Sequence, residues 1–371
     1  MARWLIEPQP PAPNWPIDAW ERFRYACLVH GVAPLLHRKI GEMPWLEART
    51  RDWLAAQYTL NGQRQLKFRA ELQAILEAFA GHDVEVMPLK GAILSACIYP
   101  DYALRRMADL DLLIHACDFE RSSRLLTGLG YEQDVVHWKH TEFIKPGNRR
   151  VMSTGGEHPD NPRRVELHCY CRESFGGPTI DLTGLLWSTA QRENLLDRPA
   201  TLPRLEMLWL HLLVHATYHL WQGKGQLINL VDLWLLTPKI AAPGEVLAQI
   251  DVRYTYPALA LLKRYFPPLL DEAITQARAC RLSNRFRAWA ESLDLVNGSY
   301  LNPKPPGLYF GKALRFSEGR PNEVLQAARF SLLPHPEELA LDHPQLARSP
   351  FPWLAYFLLP LDWAKRLLKR A

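Results

Sequence analysis

The chain has 371 residues, 48% of them hydrophobic and 22% charged, with a formal net charge of +5. That length is a soft prior for two domains or slightly more, and the balance excludes wholesale disorder and any need for disulfide or metal staples to hold a core. No apolar run reaches the ~18 residues of a membrane span, and the N-terminal MARWLIEPQPPAPNWP lacks a secretory apolar run, so the expected location is cytoplasmic.

Residues 1–16 are proline-rich and expected to be extended. From Ile17 to Phe79 the pattern is helical, with Leu66, Ala70, Leu72, Ile75, Leu76 and Phe79 spaced as one face and Gly81 as the stop. The texture changes at Val84. Val84–Leu89 reads as a strand, Ala92–Cys97 as a helix start, and Asp109–Ile114 (DLDLLI) as a half-buried strand of period two. Asp118–Leu129 reads as a helix between an Asp118 N-cap and Gly130. Tyr131–Ile144 predicts two strands or a strand and a connection, residues 149–164 a loop, and Val165–Cys171 another strand. Helical texture returns after Ile180, most strongly at Leu205–Trp221 and Leu227–Leu236, with amphipathic helices over 245–300. The expected organisation is a helical N-terminal region (1–80), an α/β core with a mixed sheet (81–186) and a helical C-terminal region with a basic tail (187–371). The six cysteines form no CxxC pair and are expected as buried free thiols. The tail Trp363–Ala371 is expected as a docked helix, with contact to an anionic membrane surface as the second option.

The chemistry concentrates between Leu89 and Ile114. Residues i and i+2 on a strand share a face, so Asp109 and Asp111 present two carboxylates side by side, suited to hard Mg²⁺ ions. Lys90–Gly91 precedes a helix start that can face anionic oxygens, and Arg105 adds a guanidinium. Glu166, alternating with Val165 and Leu167, is the candidate third carboxylate, a metal ligand and proton acceptor. His168 lies two residues on. His211, His215 and His219 form a four-spaced row on one helix, read either as packed histidines or as groups facing the site. Asp232 in its apolar helix either orients one of them or is a buried, paired carboxylate.

The ordered set LKG, Arg105, DLDLLI, Leu-Gly-Tyr, VELHC, HLLVHATYHL and LINLVDLWLL resembles the uncharacterised nucleotidyltransferase family of the DNA polymerase beta-like superfamily, over about residues 85–236. The resemblance implies a minimal nucleotidyltransferase fold, Mg²⁺ and an NTP donor, ATP by default. By position it assigns Asp109, Asp111 and Glu166 to the metals. Lys90 and Gly91 stand where the wider superfamily carries Gly-Ser, so an ammonium replaces a hydroxyl near the phosphates. Arg105 matches the family arginine, and Arg106 stands where proline is common. With His215 and His219 facing the nucleotide, the expected activity moves an NMP from an NTP to a hydroxyl or phosphate acceptor. The alternative is a non-catalytic nucleotide- or partner-binding protein on the same fold.

The acceptor is expected to be a small molecule, peptide or protein rather than nucleic acid. Residues 81–186 carry 12 basic and 15 acidic side chains, whereas residues 187–371 carry 22 and 16. The basicity therefore lies away from the acidic core.

Overall fold

The computed structural model describes residues 1–137, 139–154, 156–267, 269–299, 309–332 and 352–358. The first segment corrects one expectation: Ala2–Ile6 forms a short helix, α1, rather than extended chain. Its Trp4 packs among Trp15, Phe23 and Trp45, and burial of these rings outweighs the weak intrinsic stability of a single turn. Helices α2 (Ile17–His30) and α3 (Ala33–Ile40) follow, then α4 (Ala48–Ala80), a 33-residue helix capped by the Glu47 carboxylate on the Thr50 amide. The buried face of α4 carries Leu54, Phe68, Leu72, Ile75 and Phe79, but also Asn61 and Arg64. Those two are satisfied by loop backbone: Asn61 Nδ2 donates to Ala103 O (2.6 Å), and Arg64 donates to Met107 O (2.8 Å) and Pro162 O (2.6 Å).

The core sheet is mixed, in the order β1 (Val86–Pro88), β2 (Asp109–Ile114), β5 (Arg164–His168), β4 (Thr141–Ile144), β3 (Glu132–Val136). β2 and β5 run parallel, and the other neighbours are antiparallel. Pro88, which lacks a ladder donor, sits on the edge strand. Helix α5 (Gly91–Ile93) continues into a π-helical turn over Leu94–Ile98, and α6 (Phe119–Gly128) follows β2. Asp118 is the N-cap of α6 by position but makes no side-chain capping bond. A small sheet, β6 (Arg172–Ser174) and β7 (Thr179–Asp181), leads to α7 (Thr183–Thr189).

The stretch after Ile180 is not purely helical. β8 (Gln191–Leu195) and β9 (Arg198–Leu202) form a hairpin that packs on β1 and α4. Its turn residues Leu196 and Asp197 both have positive φ, the geometry of a two-residue hairpin turn, but neither is the glycine that normally signals one. Helices α8 (Leu205–Gln222) and α9 (Leu227–Leu236) then form a buried pair, followed by α10 (Pro243–Ala248), α11 (Tyr256–Tyr265), α12 (Glu272–Ala279) and α13 (Asn284–Ser292). Among the described residues no helix is long and apolar enough to cross a membrane. Cys27 and Cys171 are buried free thiols as expected, but Cys97, Cys117 and Cys280 are exposed. The tail Trp363–Ala371 lies outside the described residues.

One buried clamp ties the helical region to the core. Asp232 on α9, fully buried, accepts from Arg105 Nε (2.8 Å), Arg105 Nη2 (2.7 Å) and Tyr99 Oη (2.7 Å). The bidentate geometry and the third donor satisfy both oxygens of this buried carboxylate. Asp232→Ala is expected to destabilise the protein by about 3–5 kcal/mol, because it strands the Arg105 charge. The double variant Arg105→Met/Asp232→Leu should recover much of that loss. Denaturant melts of these two variants and of the singles Arg105→Met and Asp232→Leu against wild type measure both effects, and purely additive losses in the double variant would refute the clamp.

Candidate active site

Sheet register builds the site. Asp111 on β2 is opposite Glu166 on β5, and Glu166 is opposite Glu142 on β4. Three carboxylates therefore lie in one row across three strands, with Asp109 one pleat away on the face of Asp111. Like charges directly opposite one another destabilise a sheet, so the row demands cations.

Lys90 supplies one. Its Nζ lies 2.5 Å from Asp111 Oδ1, and His168 Nε2 approaches the same oxygen at 3.2 Å. Burial alone would raise the Asp111 carboxyl, but Lys90 and His168 together hold it well below the usual range. Burial opposes the charge on Lys90 too, and Asp111, Glu166 and Asp109 overcome it and raise its pKa. Among the described residues Asp109 makes no side-chain hydrogen bond or ion pair, although Lys90 and His168 partly offset its charge. Burial first, then Glu166 and Asp111, push its carboxyl well above the ordinary value.

The backbone at Lys90 is unusual, with φ 47° and ψ −121°, a region that a side-chain-bearing residue enters only when its surroundings impose it. Gly91 is explained by packing, since a Cβ there would lie 2.8 Å from Met107 Cγ and Sδ. The backbone of the Lys-Gly turn thus presses onto the segment leading into β2, and the Lys90 side chain reaches Asp111.

Arg105 gives its hydrogen bonds to the Asp232 clamp while staying near enough to Asp109 to feel its charge, so Asp232 is a paired buried carboxylate rather than a partner of the histidine row. The row itself, on α8, meets a different carboxylate, Glu173 on β6. His215 Nδ1 is 3.1 Å from Glu173 Oε1, whose other oxygen is 2.5 Å from Lys139 Nζ. The ring of His219 lies 4.3 Å from that of His215, tilted by 57°, and His211 lies beyond. Burial, with Lys90 a further cause in each case, depresses all three imidazoles: His211 to about 3, His219 to about 4, and His215 well below its usual range. They are neutral at pH 7 and offer lone pairs.

Two groups escaped sequence reasoning. Glu173 sits on a three-residue strand with no periodic signal. His137, His140 and Glu142 flank the β3–β4 turn, and only the density of histidine and glutamate there hints at a role. His137 Nε2 is 3.0 Å from Glu142 Oε1, and His140 Nδ1 is 3.3 Å from Glu166 Oε2.

Residues 17–246, well over half of the chain, match the uncharacterised nucleotidyltransferase family. The chain belongs to that family. Its membership supports nucleotidyl transfer as the general activity, and nucleotidyltransferases generally use a divalent metal and an NTP. A solved structure it also matches is an antigenic nucleotidyltransferase-like protein from Paracoccidioides brasiliensis, at 17% identity, covering 57% of this chain and 92% of that one, with a TM-score of 0.36. No curated protein matches.

The carboxylates fit a divalent ion by their chemistry: hard oxygens on one face, with Asp109 lacking a cation of its own. Asp109→Asn is expected to stabilise the metal-free protein at pH 7, because it removes a half-buried carboxylate from beside Glu166 and Asp111. Sign follows from the raised carboxyl. Below the unfolded-state value both states are protonated and the variants are equal; as pH rises towards the folded value, wild type falls behind. Thermal melts from pH 4 to 8 in chelator test this, and an advantage for Asn that grew towards acid would contradict it.

Proposed function

We propose that the protein is a Mg²⁺-dependent nucleotidyltransferase that moves an NMP from an NTP, ATP by default, to a hydroxyl or phosphate of a small-molecule, peptide or protein acceptor. The observation that carries this reading is the placement of Asp109 and Asp111 on one face of β2, with Glu166 directly across from Asp111. Asp109 and Asp111 would hold Mg²⁺ and Glu166 would complete the set. The ion supplies neutralisation of phosphate charge and polarisation of the reacting phosphoryl group. In the transfer, an acceptor oxygen would bond to the α-phosphorus, a hydroxyl's proton passing to Glu166, while the α–β bridging bond breaks and pyrophosphate leaves with that electron pair.

The chain's own groups prepare this step. Lys90 is poised to exchange Asp111 for a phosphate oxygen, since its ammonium is held by a carboxylate that a metal would also engage. Arg105 acts through the clamp, fixing the segment that enters β2. Lys139, Glu173, His215 and His219 form the wall on the α8 side, where neutral imidazoles and one ion pair suit hydrogen bonding to nucleotide or acceptor. The six unpaired cysteines accord with a cytoplasmic location.

A second reading is favoured by Lys90 itself. An ammonium seated on Asp111 serves as a built-in cation, as in a protein that binds a nucleotide or partner without turnover. Calorimetry and turnover separate the two. Wild type should bind ATP only with Mg²⁺, and Asp109→Ala/Asp111→Ala should lose at least about tenfold in affinity, the scale of one interaction of ~1.4 kcal/mol. Labelled ATP should yield pyrophosphate with a productive acceptor mixture. Equal binding by wild type and double variant would end the metal-site reading, and tight binding without pyrophosphate from any mixture would favour the binding protein.

A further inference from the structure

The carboxylate row has a second donor set beside it that is not made of oxygen alone. His140 precedes β4 and stands across from His168 on β5, one step beyond the pair Thr141 and Leu167. The two rings lie 4.9 Å apart. Between them is Glu166: its Oε2 is 3.3 Å from His140 Nδ1 and 3.4 Å from His168 Nε2. One ligand atom from each of the three residues lies within 4.8 Å of the others. The side chains are 12%, 8% and 16% exposed for His140, His168 and Glu166. Neither ring nitrogen of His140 makes a hydrogen bond among the described residues, although both atoms are buried. The nearest partners of this buried imidazole are two carboxylates, Glu166 at 3.3 Å from Nδ1 and Glu142 at 3.8 Å from Nε2, neither in hydrogen-bonding geometry, which leaves the ring able to take a ligand.

We propose that His140, Glu166 and His168 form a three-ligand site for a nitrogen-preferring divalent ion of the Zn²⁺ class, with water in the fourth position. Two imidazoles and one carboxylate with an open position form a recurrent catalytic zinc set, whereas Mg²⁺ prefers oxygen donors. Spacing agrees. Bonds of ~2.0–2.1 Å place the donors of a tetrahedral ion ~3.4 Å apart, while octahedral Mg²⁺ brings adjacent donors to ~2.9 Å. The two measured edges, 3.3 and 3.4 Å, match the tetrahedral value. The ion also answers the electrostatics of the row, placing positive charge between Asp111 and Glu142.

The neighbouring trio His137, His140 and Glu142 is the competing arrangement. Its carboxylate carries a cation from outside the trio, Arg164 Nε at 3.0 Å from Oε2, whereas the ion pairs of Glu166 among the described residues are with the two histidines, of which His168 would give up its 3.2 Å contact with Asp111 to an ion. His137 is also the more exposed ligand, at 27%. These differences assign the ion to Glu166. Its catalytic consequence rests on the proposed function with one change: Mg²⁺ stays with Asp109 and Asp111, and Glu166 turns from completing that set to holding a different ion with the adjoining histidines.

The full chain, stripped with chelator, is titrated with Co²⁺ and Zn²⁺ in excess Mg²⁺, read by calorimetry and visible absorption. One equivalent of Co²⁺ should give the intense visible bands of a four-coordinate ion, and Zn²⁺ should abolish them. His140→Ala and His168→Gln, with folding checked by circular dichroism, should each weaken Zn²⁺ more than about 100-fold, beyond what loss of an outer partner causes. His137→Ala should leave Zn²⁺ binding intact. Asp109→Ala should lose Mg²⁺–ATP binding yet keep Zn²⁺, so the two sites fail separately. Unchanged affinity in His140→Ala, Co²⁺ bands typical of six-coordination, or loss of Zn²⁺ in His137→Ala would overturn the proposal.

Discussion

Carboxylates aligned on neighbouring strands are the constraint around which this molecule is built. Asp111, Glu166 and Glu142 occupy one row by register, and Asp109 adds a fourth negative charge on the same face. No sheet tolerates such a row without compensation. Lys90 answers at Asp111, His168 stands between Asp111 and Glu166, and Arg164 and His137 engage Glu142. Asp109 is left with the raised carboxyl that a divalent ion would relieve.

The surrounding architecture serves to hold the segments that feed this row. Helix α4 reaches back from the N-terminal region to grip the backbone at Ala103 and Met107 on the way into β2, and at Pro162 on the way into β5. Arg64 also pairs with buried Glu157, extending that grip into the loop before β5. From the other side, α9 holds Arg105 through Asp232. Both strands that carry the acidic residues thus begin in loops fixed by buried hydrogen bonds, which is how loop-borne geometry becomes precise.

The helical C-terminal region contributes more than packing. The histidine row of α8 meets Glu173, is neutral through burial and lies close enough to Lys90 to feel its charge. Together with His140 and His168 this gives a site rich in imidazole beside a cluster of carboxylates. Such a mixture of hard and borderline donors suits chemistry in which one ion carries phosphate and another organises a water or an acceptor.

Local pattern alone determined the elements that carry the acids. The alternation in DLDLLI located β2 to the residue, the apolar run LINLVDLWLL delimited α9, and Asp109 and Asp111 shared a face because the period of a strand is two. The hairpin Gln191–Leu202 escaped because its turn, Leu196–Asp197, lacks glycine or asparagine. Helix α1 escaped because its stability comes from distant tryptophans. Only tertiary structure decided partners: Arg105 turned to Asp232, 127 residues away, Lys90 to Asp111, and His140 to Glu166. The reason is physical. Periodicity reports the face on which a side chain stands, whereas the groups it meets depend on register between strands and on helix docking, which no local pattern encodes.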